Sequence, residues 1–567
     1  MRDAIRIIAI LSLILLFVGC TKVEKPPQPS GTGGTGGTGV EQPAPVETTG
    51  EQPVYGGIYR FPLDTDPPTL DPAQVTDTVS DKVIRSIFDG LVKISPEGDY
   101  IPAVAESWDV NEDSTVWTFH LKDNVYFHNG RKLTANDYAY SFRRVLDPNT
   151  ASPRTWVLDR IKGAKAFMDG EADDVEGIEV IDDSTLRITL EEPFAPFLGL
   201  MAMSSSFAVP REVVEQYGDA FATTPEATVG TGPFIFRTWE HNNYLLLDRN
   251  DQYYDGKPYV DGINYRIIRE PLTRLTEFRE GLLHHTDIPA DLLPEVLENE
   301  QESKLIVSRP LLDVYNLGFN CEKPPFKDNP KLRLAFNHAI DRKFLIDTVL
   351  HGLVDEAKGI VPPGIFGYDA GLEGYEYDET LAKQLLAEAG YPNGEGLPPI
   401  ELYHDSRPPR PEICQVVQHY LQRIGVNVTL RQLEWSAFLE AVDNGEPSFF
   451  QLTWLADYPD PENFLFVLLH SSQWGPPGNG TRYSNPRFDE LVTQAGRITD
   501  REQRWQLYSE AERIAYNDSP WLLLFTNRCT VLVSDKVHGL EITALDRPPV
   551  LPSVEIEKVW LEPETSE

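Results

Sequence analysis

The sequence predicts an α/β protein built from two or three domains. A chain of 567 residues is too long for one hydrophobic core. Its body repeats the order helix, glycine, strand, which lays helices against a sheet. Hydrophobic residues make up 41% and charged residues 24%, the balance of an ordinary globular protein.

The chain opens with a processing signal rather than with the fold. Arg2 and Arg6 precede an apolar run from Ile7 to Val18, too short to cross a bilayer comfortably. Phe17-Val18-Gly19-Cys20 then resembles a bacterial lipobox, with Phe17 where Leu is usual. The spacing predicts lipid attachment at Cys20 after residues 1–20 serve as signal peptide. Residues 21–53 carry Pro26, Pro27, Pro29, the run GTGGTGGTG and Pro43 and Pro45. Such a segment cannot bury apolar surface and is expected to be a flexible tether. About thirty residues of coil reach roughly 30 Å. No strand precedes the glycines and no Gly-Lys-Ser/Thr follows, so they are not a phosphate loop. No later apolar run is long enough to span a membrane, which puts the body outside the cytoplasm.

Within the body, 115–121 (TVWTFHL) and 185–190 (TLRITL) read as strands after Asp/Ser turns. Residues 330–351 read as one helix, with Asn329 as cap, Pro330 in the first turn and Gly352 as stop. A second helix covers 379–389 between Asp378 and Gly390. A third, at 411–424, puts Ile413, Val417, Tyr420, Leu421 and Ile424 on one face and ends at Gly425. VNVTLRQLE then alternates as a strand, and two more helices follow near 486–498 and 500–517. Gln451 to Leu455 is a strand halted by Pro459 and Pro461. Asp460 before Pro461 has the form of a helix cap. Asp457 does not, and it stands at the carboxyl end of a strand, where open α/β sheets bind ligands.

Composition narrows the function. Asp and Glu number 88 against 50 Lys and Arg, a formal net charge of −38. That surface repels nucleic acid and anionic lipid, so membrane attachment must come from the lipid anchor. None of Cys20, Cys321, Cys414 and Cys529 forms a CxxC pair, and Cys321 and Cys414 are expected to be small buried residues. His284 and His285 are adjacent, a poor geometry for a shared metal, and are expected at the surface. There is no HExxH, GxSxG or Walker motif, so no catalytic residue, metal or cofactor is assigned and a secreted hydrolase is the weaker reading.

Six phrases in order carry a resemblance. They are Leu70-Asp71-Pro72, VWTFHLKDNVYFHNGRKLTANDYAYSFRRVLDPNTASP (116–153), VGTGPF (229–234), NLGFNCEKPPFKDNPKLRLAFNHAIDRKFLIDTVLHG (316–352), LLAEAGYPNG (385–394) and TWLADYPDPENFL (453–465). Together they resemble the oligopeptide-binding proteins of ABC importers, the class that also holds dipeptide and nickel receptors. The resemblance implies a two-lobed periplasmic-binding-protein fold with a hinge and an extra domain on the first lobe. By alignment lobe I is 54–88, 211–310 and 526–567, the extra domain 89–210 and lobe II 311–525. The chain crosses between lobes near Pro310-Leu311 and Phe525-Thr526. The implied partners are a peptide and a transporter permease, with the receptor a monomer.

The resemblance also implies a site. Asp457 matches an aspartate that pairs with the peptide α-ammonium. Trp454 and Trp435 match tryptophans lining side-chain pockets, and Thr453 and Leu455 offer backbone to an extended peptide. Three positions depart from the pattern. Gln451 replaces an arginine that binds the carboxylate of short peptides, Arg154 replaces a tyrosine and Thr76 a glutamate. The amine end is thus recognisable, the carboxylate end is altered, and a weak dependence on peptide length is expected. Arg154 and Arg407 are the candidates for a relocated carboxylate anchor. A receptor of the same fold for an oligosaccharide or a metal chelate is the alternative.

Overall fold

The computed structural model describes residues 52–289, 291–407, 409–475, 478–548 and 555–563. Cys20 and nearly all of the expected tether lie outside them. Among the described residues, no helix is long and apolar enough to cross a membrane.

Three larger sheets organise residues 53–567. The first holds strand Ile58–Leu63 parallel to Gly262–Ile267, followed by Tyr244–Arg249 and Phe234–Glu240. The second joins Ala105–Val110, Val116–Leu121, Thr185–Thr189 and Ile178–Asp182, all antiparallel. One continuous apolar core covers both, from Tyr59 and Phe61 to Trp117, Phe119 and Leu186. The second sheet is thereby packed on the first. Arg144 of the helix Ala135–Leu146 clamps Asp71 at 2.8 Å, tying the two regions at the Leu-Asp-Pro phrase.

The third sheet runs His285–Asp287, Trp521–Val533, Asp313–Phe319, Phe449–Leu455, Ile400–Asp405, Val428–Leu433. Strand alternation sends Leu317, Phe319, Phe449, Leu522 and Leu524 to one face, under helices Pro330–Ala339, Glu379–Glu388 and Arg410–Arg423. Val314 and Leu523 go to the other, under Glu462–Leu469, Pro486–Gly496 and Arg501–Asp518. Helices on both faces of a sheet with parallel members are the arrangement the helix-glycine-strand order predicts. Strand Trp521–Val533 is continuous. Its first half pairs with Asp313–Phe319 and its second with Ile306–Pro310 and His285–Asp287. Beside it the chain breaks strand at Leu311 and Leu312, where Leu311 N donates to Asn527 O at 2.9 Å.

Three expectations are corrected. The helix expected at 330–351 ends at Ala339. Arg342 turns inward and donates to the carbonyls of Asn337, Tyr375 and Leu523, so the helix cannot run on through it. Asp341 caps a fresh turn by accepting from Phe344 N at 2.9 Å. His284 and His285 are buried, not at the surface. His285 Nδ1 pairs with the Tyr59 hydroxyl at 2.8 Å, and the His284 ring stacks on Tyr59 and accepts from Arg60 N. Cys414 and Cys529 are buried, whereas Cys321 is half-buried.

Candidate functional site

Strand Phe449–Leu455 places the site. On one edge it pairs with Asp313–Phe319 along its full length. On the other, pairing with the parallel strand Ile400–Asp405 covers only Leu402–Phe449 and Tyr403–Phe450. Beyond that point the two strands diverge. Among the described residues, the edge from Gln451 to Leu455 has no partner strand, and it ends at Ala456 and Asp457.

Asp457 is fixed by its backbone. Asn463, in the first turn of Glu462–Leu469, accepts from Asp457 N at 3.0 Å and from Trp454 Nε1 at 2.9 Å. One amide oxygen thus sets both the tryptophan ring and the aspartate. Both line a cleft of about 960 Å³ with Arg154, Trp156, Asp159, Arg160, Phe194 and Phe466. The Asp457 side chain opens onto this cleft. The cleft walls nevertheless strip water from the carboxylate and raise it above the ordinary Asp range. The charge of Arg154 and a hydrogen bond from Asn463 pull it back in part.

Arg154 does not form an ion pair with Asp457. Its guanidinium donates to the carbonyls of Val75 at 2.8 Å and Thr76 at 3.1 Å. The structure therefore brings together Thr76, Arg154 and Asp457, which lie far apart in sequence. Arg154 lines the same cleft as Asp457. Next door, Tyr458 buries its ring against Gly199 and donates its hydroxyl to Glu462.

Asp460 does more than cap. It accepts from Glu462 N at 3.0 Å, and both its oxygens lie 2.8 Å from Arg504 Nη2 in a buried ion pair.

Trp435 stands apart from this cleft. Arg407 stacks on its ring at 3.8 Å and chelates Asp405 at 3.1 and 3.2 Å. Leu455 packs against the large core and Thr453 pairs with Tyr315. Gln451, expected to face the ligand, is fully buried. Its strand register turns it toward the helix-covered face, so it does not reach the cleft in this arrangement. Sequence reasoning missed Asn463, Trp156, Asp159 and Phe466. Asn463 alone left a signal, as a polar residue opening the apolar run FLFVLL.

The comparisons with known proteins decide the family. Residues 99–476 match the model of the bacterial extracellular solute-binding proteins, family 5 Middle. The chain belongs to this family. It is 32% identical over 468 residues to the periplasmic oligopeptide-binding protein OppA of Salmonella typhimurium, covering 80% of this chain and 83% of that one. It is 30% identical over 499 residues to the probable deoxycholate-binding periplasmic protein YgiS of Escherichia coli, covering 86% and 91%. Among solved structures it superposes on the periplasmic binding protein DppA of Helicobacter pylori, in complex with the peptide STSA. The TM-score is 0.70 at 30% identity, covering 90% of this chain and 99% of that one. The fold is therefore the two-lobed α/β fold of periplasmic binding proteins, and the relatives are binding proteins that serve ABC importers.

Proposed function

We propose that this chain is a lipid-anchored receptor that captures peptides by lobe closure and delivers them to an ABC transporter permease. The unpaired edge of Phe449–Leu455, ending at the desolvated Asp457 carboxylate, carries the reading. A peptide added as a strand finds its main-chain partners on that edge, whatever its side chains. Its α-ammonium then meets Asp457, which forms no ion pair among the described residues. Trp454, Trp156 and Phe466 supply apolar walls for side chains.

Lobe I comprises 54–88, 211–310 and 526–567, the extra domain 89–210 and lobe II 311–525. Sheet membership supports these bounds, since the sheets break at Leu311 and change partners along Trp521–Val533. Closure turns on those two adjacent crossings. A monomer suffices, because one chain supplies both ends of the cleft. The anchor is Cys20, and labelled fatty acid should enter the wild type and not Cys20→Ser; equal labelling would end that part. A bile-salt-type ligand, suggested by the YgiS likeness and the aromatic lining, would set its carboxylate against Asp457. Native mass spectrometry of the purified protein tests the choice. Retained peptide supports the receptor reading, and a retained sterol or sugar overturns it.

A further inference from the structure

We infer that the chain has a second binding site, a pocket beside strand Ile58–Leu63 that takes a small amphiphilic anion with a phosphate or carboxylate head and an apolar body. The pocket shares no lining residue with the cleft at Asp457, and the inference stands whether or not that cleft takes peptide.

Arg60 and His284 build the head of the site. Tyr59 and Phe61 point into the large core, so Arg60 between them emerges on the other face of the strand. There the backbone holds the His284 ring. His284 N donates to Arg60 O at 3.1 Å, and Arg60 N donates to His284 Nδ1 at 2.9 Å. A ring nitrogen that accepts carries no proton, so the proton of His284 is on Nε2. Nε2 nevertheless faces Arg60 Nη2 at 3.2 Å. Two N–H donors thus meet each other. Arg60 Nη2 also reaches Gly281 O at 3.3 Å, but Arg60 Nε is enclosed and has no partner among the described residues. His284 is only 6% exposed and lines the pocket. Enclosed donors without an acceptor are uncommon and call for a physical reason. An oxyanion in the pocket is an acceptor for all of them at once, and a guanidinium is the group that best matches its geometry.

The charge agrees with the hydrogen bonds. Arg60 and Lys536 both lie within electrostatic reach of His284, and neither forms an ion pair among the described residues. Burial and these two cations push His284 down to about 3, which keeps it a neutral donor. Arg279 is spent on Glu295 and Glu302, and Glu562 takes His538 Nε2 at 3.0 Å. Two unpaired cations therefore stand in this one pocket, in a chain whose formal net charge is −38. Because the groups around the head are donors and cations, a metal ion does not fit it.

The walls supply the apolar half. Phe278, Leu283 and Leu305 belong to the small core beside helix Pro271–Arg279, and each also lines the pocket. Tyr55 and Leu561 add further apolar surface. The volume is about 880 Å³, that of a pocket for a drug-sized molecule rather than for an inorganic ion. An anion with a hydrocarbon body uses both halves, whereas phosphate alone leaves the apolar walls uncovered. Val54 and Tyr55, which follow the expected tether directly, are among the lining residues, so a phospholipid head and a free amphiphile are the two sources to separate.

Calorimetry of the unaltered protein with octyl phosphate and with dihexanoyl-phosphatidylglycerol, both kept below their micelle concentrations, tests the site. At least one of them should bind saturably, about tenfold tighter than inorganic phosphate or octanol. Arg60→Gln should weaken that binding about tenfold, the loss of a charged hydrogen-bond partner. His284→Asn should weaken it about fivefold, because the shorter amide can still accept from Arg60 N but does not reach the Nε2 position. Lys536→Ala changes an exposed side chain that the fold does not need, and should weaken it about threefold. Saturating tetra-alanine should displace none of it. Tighter binding of the phosphatidylglycerol assigns the head to a lipid, and tighter binding of octyl phosphate assigns it to a soluble anion; either upholds the site. Absence of saturable binding by both overturns it, as does displacement by tetra-alanine. Unchanged affinity in Arg60→Gln overturns it too, and if that variant does not fold, unchanged affinity in Lys536→Ala does so.

Discussion

Asp457→Ala is the perturbation that bears most directly on the site. The substitution removes a carboxylate whose backbone is held independently by Asn463, so the strand and Trp454 should keep their places. The cleft walls take part of the carboxylate's solvation while its side chain stays open to the cleft. A peptide ammonium sealed there by lobe closure exchanges water for one charged partner. Leaving such a charge unpaired costs about 2–5 kcal/mol, or roughly thirty-fold to several thousand-fold in Kd. Calorimetry with a free tetrapeptide and its N-acetyl form separates the charge from simple packing. Acetylation should weaken the wild type and hardly change what Asp457→Ala binds. Acidity supplies a second reading. The ammonium requires the ionised carboxylate, and burial raises the pKa of that carboxylate. Amine-dependent affinity should therefore begin to fall at a pH above the ordinary Asp titration, and Asp457→Asn should abolish that fall. If the variant binds free and acetylated peptides as the wild type does, Asp457 does not read the amine.

Three other outcomes follow from the structure. Asp460→Ala should cost about 3–5 kcal/mol by urea unfolding, because it leaves Arg504 buried and unpaired, against about 1 kcal/mol for a lost cap alone; a loss under half that range would mean that Arg504 finds another partner. Glu512 is buried, with Oε1 accepting from Ile360 N and Val361 N and Oε2 unpartnered, and burial pushes its carboxyl up to about 7. Its folded value exceeds the unfolded one, so stability is greatest below the unfolded value and is lost as pH rises through about 7. Glu512→Gln should be close to neutral at pH values near 4 and raise stability by about 3 kcal/mol near pH 8, and a gain independent of pH would refute the burial argument. Small-angle scattering should show contraction on adding peptide, with the crossings at Leu311 and Thr526 as hinges. An unchanged radius with binding confirmed would dismiss the trap.

Local patterns carried much of this protein. Capped helices such as Glu379–Glu388 and Pro486–Gly496 fall within two residues of their expected bounds, because Asp378 and Asn485 satisfy their first amides from adjacent sequence. Asp457 stood out as a candidate for a related reason. A strand, a proline-rich turn and a carboxylate without a capping duty are all written within ten residues. The long helix at 330–351 failed because what stops it, the inward Arg342, binds carbonyls at 375 and 523 that no local pattern records. The adjacent histidines looked exposed for want of any sign of Tyr59, more than 200 residues away.

By itself the sequence determined most of the helices and strands, encoded over short spans by hydrophobic period, caps and turns, and the family through its six phrases in order. Only the tertiary structure decided where the candidate residues stand. It put Arg154 on the carbonyls of Val75 and Thr76, Arg407 over Trp435 and Gln451 out of reach. Arg407 follows strand Ile400–Asp405 near where it parts from Phe449–Leu455, whereas Arg154 is set by carbonyls nearly eighty residues before it. The strands that part there come from distant stretches of the chain, so no local pattern records the divergence.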